Sequence, residues 1–421
     1  MDRSKPQATG RTRRSLFRTP KPFAAFEHRA FRLLWFSANF VALGIWAERL
    51  AVGWLVLEQT NSVLLSAATF AAGSAPSLIA APIGGAVADR FPRNRLLVLT
   101  ALVRAVSILS IALIALSGFS SPWPIFVIVA FEGVVNSFDM PAKQGLITDI
   151  VPRESRMNAI SVHSIGTRSV AAAGSLASGI IAEFVGIPAA LFVASVSILI
   201  GGVIVWFVPT MRSSARMARS SLGRIFKEAV IGIRSILRLP TVSTLLWMAI
   251  VVEIFGFAYD SVMPAMARDE LGVTESGLGT LRFAAGIGAV IGAVFLSFLG
   301  DFRRKGPLLL AITAGYGIGL IGVASSSNLV MALIVVTMVG AAASMFDAMQ
   351  WTLLQANVPD RLRGRVIGGW VFAIGFGWVG HLSMGVVGEL IGVRWALGGA
   401  GLIVAATSLV ALAVSSVLRR A

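Results

Sequence analysis

The sequence predicts an all-α membrane protein with twelve transmembrane helices in two six-helix halves. Three observations point there. The 421-residue chain is 56% hydrophobic and only 13% charged, whereas soluble domains carry about 25% charged residues. Apolar runs long enough to cross a bilayer, roughly 20 residues each, recur between charged breaks. Basic residues collect in alternate breaks, the pattern of a chain that crosses a membrane many times. A porin-type barrel would instead show alternating segments of ~10 residues, and these runs are continuous.

The first six runs lie near 31–57, 62–87, 95–117, 123–143, 159–183 and 188–208. Six more lie near 241–264, 277–299, 307–325, 329–351, 366–390 and 393–417. Turn signals separate them: Thr60-Asn61-Ser62, Ser121-Pro122-Trp123-Pro124, Gly186-Ile187-Pro188 and Ser325-Ser326-Ser327-Asn328. The resulting division is a basic tail at 1–30, a first half at 31–208, a linker at 209–240, a second half at 241–417 and a short tail at 418–421.

Orientation follows from Lys and Arg. The N-terminal tail to Arg32 carries nine of them, the linker seven, the C-terminus two and four short loops on the same side twelve, thirty of 36 in all. Only Arg268 and Arg394 fall in the opposite loops. Both termini are therefore expected in the cytoplasm. Thr12-Arg13-Arg14-Ser15-Leu16-Phe17 is similar to a twin-arginine signal, but no short apolar region with a small-residue cleavage site follows. The tail reads as a disordered basic segment near anionic lipid. In the linker, Leu222, Ile225, Ala229, Ile233 and Ile236 recur at helical steps while Arg224, Lys227, Arg234 and Arg238 take another face. That pattern predicts an amphipathic helix on the cytoplasmic surface, with a plain solvated linker as the alternative.

Composition also excludes several functions. The net charge of +16 does not indicate nucleic acid, because the basic residues sit between apolar segments and not on a soluble face. With no cysteine, thiolate metal sites and thiol nucleophiles are ruled out. The sequence holds neither a G-x-x-x-x-G-K-[ST] loop nor an H-E-x-x-H pair, which argues against an ATP-driven pump and a zinc hydrolase. No enzyme activity, cofactor or metal is expected.

The two halves repeat. Aligning Val151-Pro152 with Val358-Pro359 also superposes Leu146 on Leu353 and Arg156 on Arg363, at an offset of 207. Aligning Asp89 with Asp301 brings two basic loops together at an offset of 212. A transporter built from such repeats binds its substrate between the halves near the bilayer midplane.

Gly85-Ala86-Val87-Ala88-Asp89-Arg90-Phe91-Pro92-Arg93-Asn94-Arg95 resembles the G-x-x-x-D-R-x-x-R-[KR] loop signature of the major facilitator superfamily. It lies between spans two and three, as in that family, and a degenerate copy with Asp301, Arg303 and Arg304 follows span eight. The Val-Pro-x-x-x-Arg elements and Leu271-Gly272-Val273 resemble the bacterial efflux branch, which includes macrolide and enterobactin exporters. The resemblance covers residues 29–417 and implies a major facilitator fold in the bacterial cytoplasmic membrane. It implies a monomer that exports a small amphipathic or hydrophobic molecule (a drug, siderophore or other metabolite) by proton antiport. An importer or facilitator is the alternative; a membrane-embedded enzyme or a receptor is more remote. In this reading Asp89 pairs with Arg93 or Arg95 at a helix end. The resemblance implies that Gly85, Asp89, Arg90, Arg93, Arg95, Asp301, Arg303 and Arg304 latch the outward-open state, with orientation-setting charge as the simpler role.

Ionisable groups inside the spans are the remaining signal, since each costs roughly 2.5–3.5 kcal/mol at a bilayer centre unless it faces a partner or water. Glu132 lies mid-span four, Glu253 mid-span seven, and Glu48 and Arg49 in span one. By resemblance, spans one, four, seven and ten line the cavity. Glu132 and Asp139 are seven apart, as are Glu253 and Asp260, a spacing that returns a helix to nearly the same face. Asp347 adds an acid in span ten, Arg168 and His163 lie in span five and His381 in span eleven. These acids can carry protons or hold cationic solutes; ion pairing with Arg104, Arg168 or Arg282 is the structural alternative. Adjacent Glu48 and Arg49 point ~100° apart and are expected to pair with other helices. Gly174-Ser175-Leu176-Ala177-Ser178-Gly179 resembles an antiporter signature, G-P-x-x-G-G, with serines at two of its positions. Gly286, Gly288 and Gly292 read as packing positions. Proton-coupled relatives carry an arginine in the segment of span four where this chain has Glu132.

Overall fold

A computed structural model describes residues 24–209, 239–300, 302, 304–356, 358 and 363–415. Residues 1–23, the predicted linker helix at 210–238, Asp301 and Arg303 lie outside the described residues. Twelve helical segments are long and apolar enough to cross a membrane, and no strand occurs among the described residues.

The first half comprises α1 (Arg29–Thr60), α2 (Val63–Arg90), α3 (Arg93–Leu116), α4 (Trp123–Ile150), α5 (Arg156–Phe184) and α6 (Ile187–Trp206). The second comprises α7 (Pro240–Val251), α8 (Glu275–Leu299), α9 (Lys305–Ala324), α10 (Leu329–Ala356), α11 (Arg363–Ile374), α12 (Gly377–Ile391) and α13 (Val393–Val414). Most helices exceed the apolar run that predicts them, because polar residues continue the hydrogen-bonded turns past the hydrophobic core. Residues 24–30 of the expected tail are ordered. Ala24–Glu27 form a 3₁₀ turn, and the Ala25 N–H donates to Asn158 Oδ1 at 3.0 Å.

The predicted turns act through recognisable caps. Asn61 closes α1 in the left-handed region at φ 49°, and the Ser62 hydroxyl accepts the Leu65 N–H to open α2. Gly186, at φ 109°, and Pro188 launch α6. Asn328 accepts the Met331 N–H at 2.9 Å to start α10.

Bundle packing follows membrane rules. Large apolar side chains such as Ile79, Phe184 and Phe298 point outward, as expected of a surface covered by lipid tails. Inside, close approach depends on small residues. A Cβ on Gly288 would collide with the Thr337 carbonyl, and one on Gly340 with the Ala285 carbonyl, which fixes the crossing of α8 and α10. Ser37, Ser178, Ser195 and Ser408 each donate across helices to a backbone carbonyl at 2.7–2.8 Å, bonds that contribute on average ~0.6 kcal/mol in membranes.

Two spans are broken. After α7 the chain passes through π turns at Val252–Gly256 and 3₁₀ turns at Phe257–Ser261. Span eleven is interrupted between α11 and α12. The breaks face each other: Gly380 packs on the Ile254 carbonyl, and Gly377 leaves room for Glu253.

Candidate functional site

A cavity of about 840 Å³ separates the halves. It is lined from α1, α2, α4 and α5 on one side and from span seven, α8, α10 and span eleven on the other. All four spans expected to line it do so, joined by four more. Aromatic and apolar walls come from Trp46, Phe70, Leu78, Met140, Phe257 and Trp370. The volume suits a drug-sized molecule. A smaller chamber of about 80 Å³ adjoins it, lined by first-half residues and by His381 of the second half, and shares Arg49, Phe70, Asn136 and His381 with the cavity. That is room for a few waters, at roughly 10–15 Å³ of such space each.

The sequence candidates divide between these spaces. Arg49, Arg168, Glu253, Asp260 and Asp347 line the main cavity, while Glu48 and Glu132 line the small chamber, which Arg49 also borders. Asp139 lines neither. It is held by Lys143 at 2.8 Å and by the Thr100 hydroxyl at 3.4 Å.

Partners then separate the acids. Asp260 is paired with Arg282 at 3.1 Å, and Asp347 with Arg168 at 3.8 Å across the two halves. For these, the structural alternative raised by the sequence is what the geometry displays. Glu48 meets Glu132, another helix as expected, but the partner is a second acid. Both carboxyl groups are buried on the wall of the same small chamber, and Glu132 Oε1 has no hydrogen-bond partner among the described residues. Buried Arg104 lies close by and donates to Asn136 Oδ1 at 3.4 Å. Glu253 faces the cavity without an ion-pair partner among the described residues.

Two expectations need correction. The seven-residue spacing of Glu253 and Asp260 presumes a regular helix, whereas π and 3₁₀ turns lie between them. Both still line the cavity, as the spacing implied, though not on a regular helix. Asp89 does pair with Arg93, at 3.4 Å, but the shorter partner of Arg93 is Asp149 at the end of α4, at 2.7 Å. Arg95 is exposed and makes no ion pair among the described residues. Gly85 lines the cavity's end, and a Cβ there would meet nothing within 4 Å. Asp89 and Arg90 are exposed and make no hydrogen bond or ion pair to the second half among the described residues. Arg304 is likewise exposed.

Sequence reasoning undervalued Asn136, Arg282 and the Gly375-Phe376-Gly377 break. The last had a legible signal, two glycines bracketing an aromatic inside an apolar run. His381 lines both spaces, its ring 5.7 Å from that of Phe70. His163 lines neither.

Comparison with known proteins bears on this geometry. The family model described as transmembrane secretion effector matches residues 20–419. The uncharacterized MFS-type transporter YfiS of Bacillus subtilis is 25% identical over 374 residues, covering 86% of this chain and 87% of its own. The staphyloferrin A transporter of Staphylococcus aureus is 23% identical over 85% of this chain and 89% of its own. The enterobactin exporter EntS of Shigella flexneri is 24% identical over 89% and 85% respectively. Among solved structures, peptide transporter POT superposes with a TM-score of 0.74 at 11% identity, covering 93% of this chain and 95% of that one. Nucleoside transporter NupG superposes at 0.65 with 16% identity, covering 91% and 98%. A twelve-span bundle with a central cavity, matched along nearly its whole length, belongs to the transmembrane secretion effector family of major facilitator superfamily transporters, membrane carriers of small molecules and not enzymes.

Proposed function

We propose that this protein is a secondary active exporter of a small amphipathic molecule, siderophores and drugs being the substrate classes, that works by proton antiport and alternating access. The observation that carries the reading is the division of labour among the acids. An apolar cavity large enough for such a solute is bordered by one carboxyl without an ion-pair partner among the described residues, Glu253, and beside it lie two buried carboxyls in a separate chamber, Glu48 and Glu132. Two acids buried side by side in one small chamber are a place where a proton can be taken up and released. Arg49 and His381 border both spaces, so a change of proton count in the small chamber is felt electrostatically in the large one.

Shape supports the same reading. Hydrogen bonds between the halves gather at the end bearing the α1–α2 loop: Arg268 donates to the Leu57 carbonyl at 3.0 Å and Thr274 to Glu183 at 2.9 Å. Toward the other end the cavity reaches Gly85 and Gln144. With the basic loops cytoplasmic, this is an inward-open state, in which the 85–95 latch is released. A relative named as an enterobactin exporter and one named as a staphyloferrin A transporter favour a siderophore-like solute.

The test is uptake into inverted vesicles under an imposed pH gradient. Gradient-dependent accumulation of an efflux-class compound or iron-free siderophore is expected, and its absence across such compounds sinks the proposal. Whole-cell counterflow separates export from import.

A further inference from the structure

The outer end of the bundle carries a contact that the transport reading does not use. Ser62 is the N-cap of α2, and Glu389, from α12 in the other half, receives its hydroxyl at 3.2 Å and the Leu64 N–H at 3.1 Å. Leu64 is the second residue of α2, so its N–H is among the four that a helix start leaves unpaired. A carboxylate from the second half thus completes the cap of a first-half helix.

The same arrangement recurs with the halves exchanged. Thr274 is the N-cap of α8, and Glu183, from α5 in the first half, receives its hydroxyl at 2.9 Å and lies against Ser276. Ser276 is the second residue of α8. Ser62 and Thr274 are 212 residues apart, as are Leu64 and Ser276, while Glu183 and Glu389 are 206 apart. These offsets match those of the internal repeat. Each half therefore sends one carboxylate to the other's helix N-terminus, where its charge opposes the positive end of the helix dipole. One contact in isolation would be an ordinary cap. Two that obey the internal symmetry are parts of one device.

A third contact has no symmetric copy among the described residues. Arg268, following span seven, donates to the Leu57 carbonyl and to Asn61 Oδ1 at the C-terminal end of α1. There a cation meets the negative end of a helix dipole.

We propose that Glu183 and Glu389 form a reciprocal outer gate, two carboxylates that hold the halves closed at this end by capping each other's helices and that let go together when it opens. Neither acid lines the cavity, so the gate is separate from solute binding. Both are exposed. The contacts are consequently weak and reversible, as a gate that must open in every cycle requires.

The proposal rests on the alternating-access reading, but its test needs neither substrate nor proton gradient, so the two can fail separately. The chain has no native cysteine, so spin labels can be placed directly. Ser120→Cys and Ser327→Cys put one label on an exposed loop of each half at this end. Distances are read by double electron–electron resonance in lipid nanodiscs. Glu183→Gln and Glu389→Gln, which remove charge and keep size, should each raise the ratio of long to short distances roughly two- to fivefold, the size of a lost charge–dipole contact. The two should match within about twofold, and the double variant should exceed either. The parent protein, with both acids intact, should show the same trend in about 0.5 M salt, where screening length falls to about 4 Å. Unchanged distances in both variants and in salt overturn the gate. A response from only one variant overturns its reciprocity.

Discussion

The two halves share a fold and differ in what they do with buried charge. In the first half, Glu48 and Glu132 face each other with Arg104 nearby, in a chamber set back from the main cavity. In the second, Asp260 is neutralised by Arg282, and Glu253 alone faces the cavity with no ion-pair partner among the described residues. Duplication explains the scaffold and not this difference, since at the repeat offset of 207 Glu132 corresponds to Val339. In the proposed exporter the first half holds the proton and the second meets the solute, and the two chambers that carry these roles adjoin but are distinct.

The largest effect should come from packing. Gly340→Val drives side-chain atoms into the Ala285 carbonyl of α8; the expected result is loss of folded protein in membrane extracts, seen by size-exclusion chromatography. Gly85→Ala, where a Cβ meets nothing, should leave stability within about 0.5 kcal/mol.

Next are the two buried acids proposed to carry the proton. Glu48→Gln and Glu132→Gln should each lower pH-gradient-driven transport by about tenfold or more, and the double variant should be no worse than either single. Losses that multiply would show two independent sites and break the contrast between the halves.

Arg282→Met leaves Asp260 without its partner. Breaking a largely buried pair costs about 3–5 kcal/mol, whereas removing both charges is close to neutral. Adding Asp260→Asn should therefore restore most of the lost thermal stability. If the double variant stays as unstable as Arg282→Met, the pair does more than neutralise charge.

Glu253→Gln should change apparent substrate affinity severalfold while leaving the pH dependence of transport intact. A shifted pH profile with unchanged affinity would move the proton role to the second half. Among the charge variants, the smallest effect belongs to Arg168→Gln. Its contact with Asp347 is long, at 3.8 Å, and half-exposed, so stability should fall by no more than about 1 kcal/mol.

The candidate site was partly legible before folding. Glu132, Glu253 and Glu48 stand out as acids in apolar runs, because such groups need a reason to be in a membrane. Their partners did not stand out. Nothing in local spacing says that Glu48 meets an acid, that Asp139 turns to Lys143, or that Asp149 takes the better bond with Arg93. The reciprocal contacts of Glu183 and Glu389 were equally invisible, since each joins residues about 90 or 325 positions apart.

The sequence by itself determined the number of spans, the turns between them, the duplication and the family signature. Each of these is local: a run of some 20 apolar residues must satisfy its own backbone hydrogen bonds within lipid. Only the tertiary structure decided which acids are paired, which are free and where the halves touch. Those outcomes depend on which helix faces meet, set here by small residues at the α8–α10 crossing and by the opposed breaks in spans seven and eleven. Charge pairing follows from that geometry, and so does the difference between the halves.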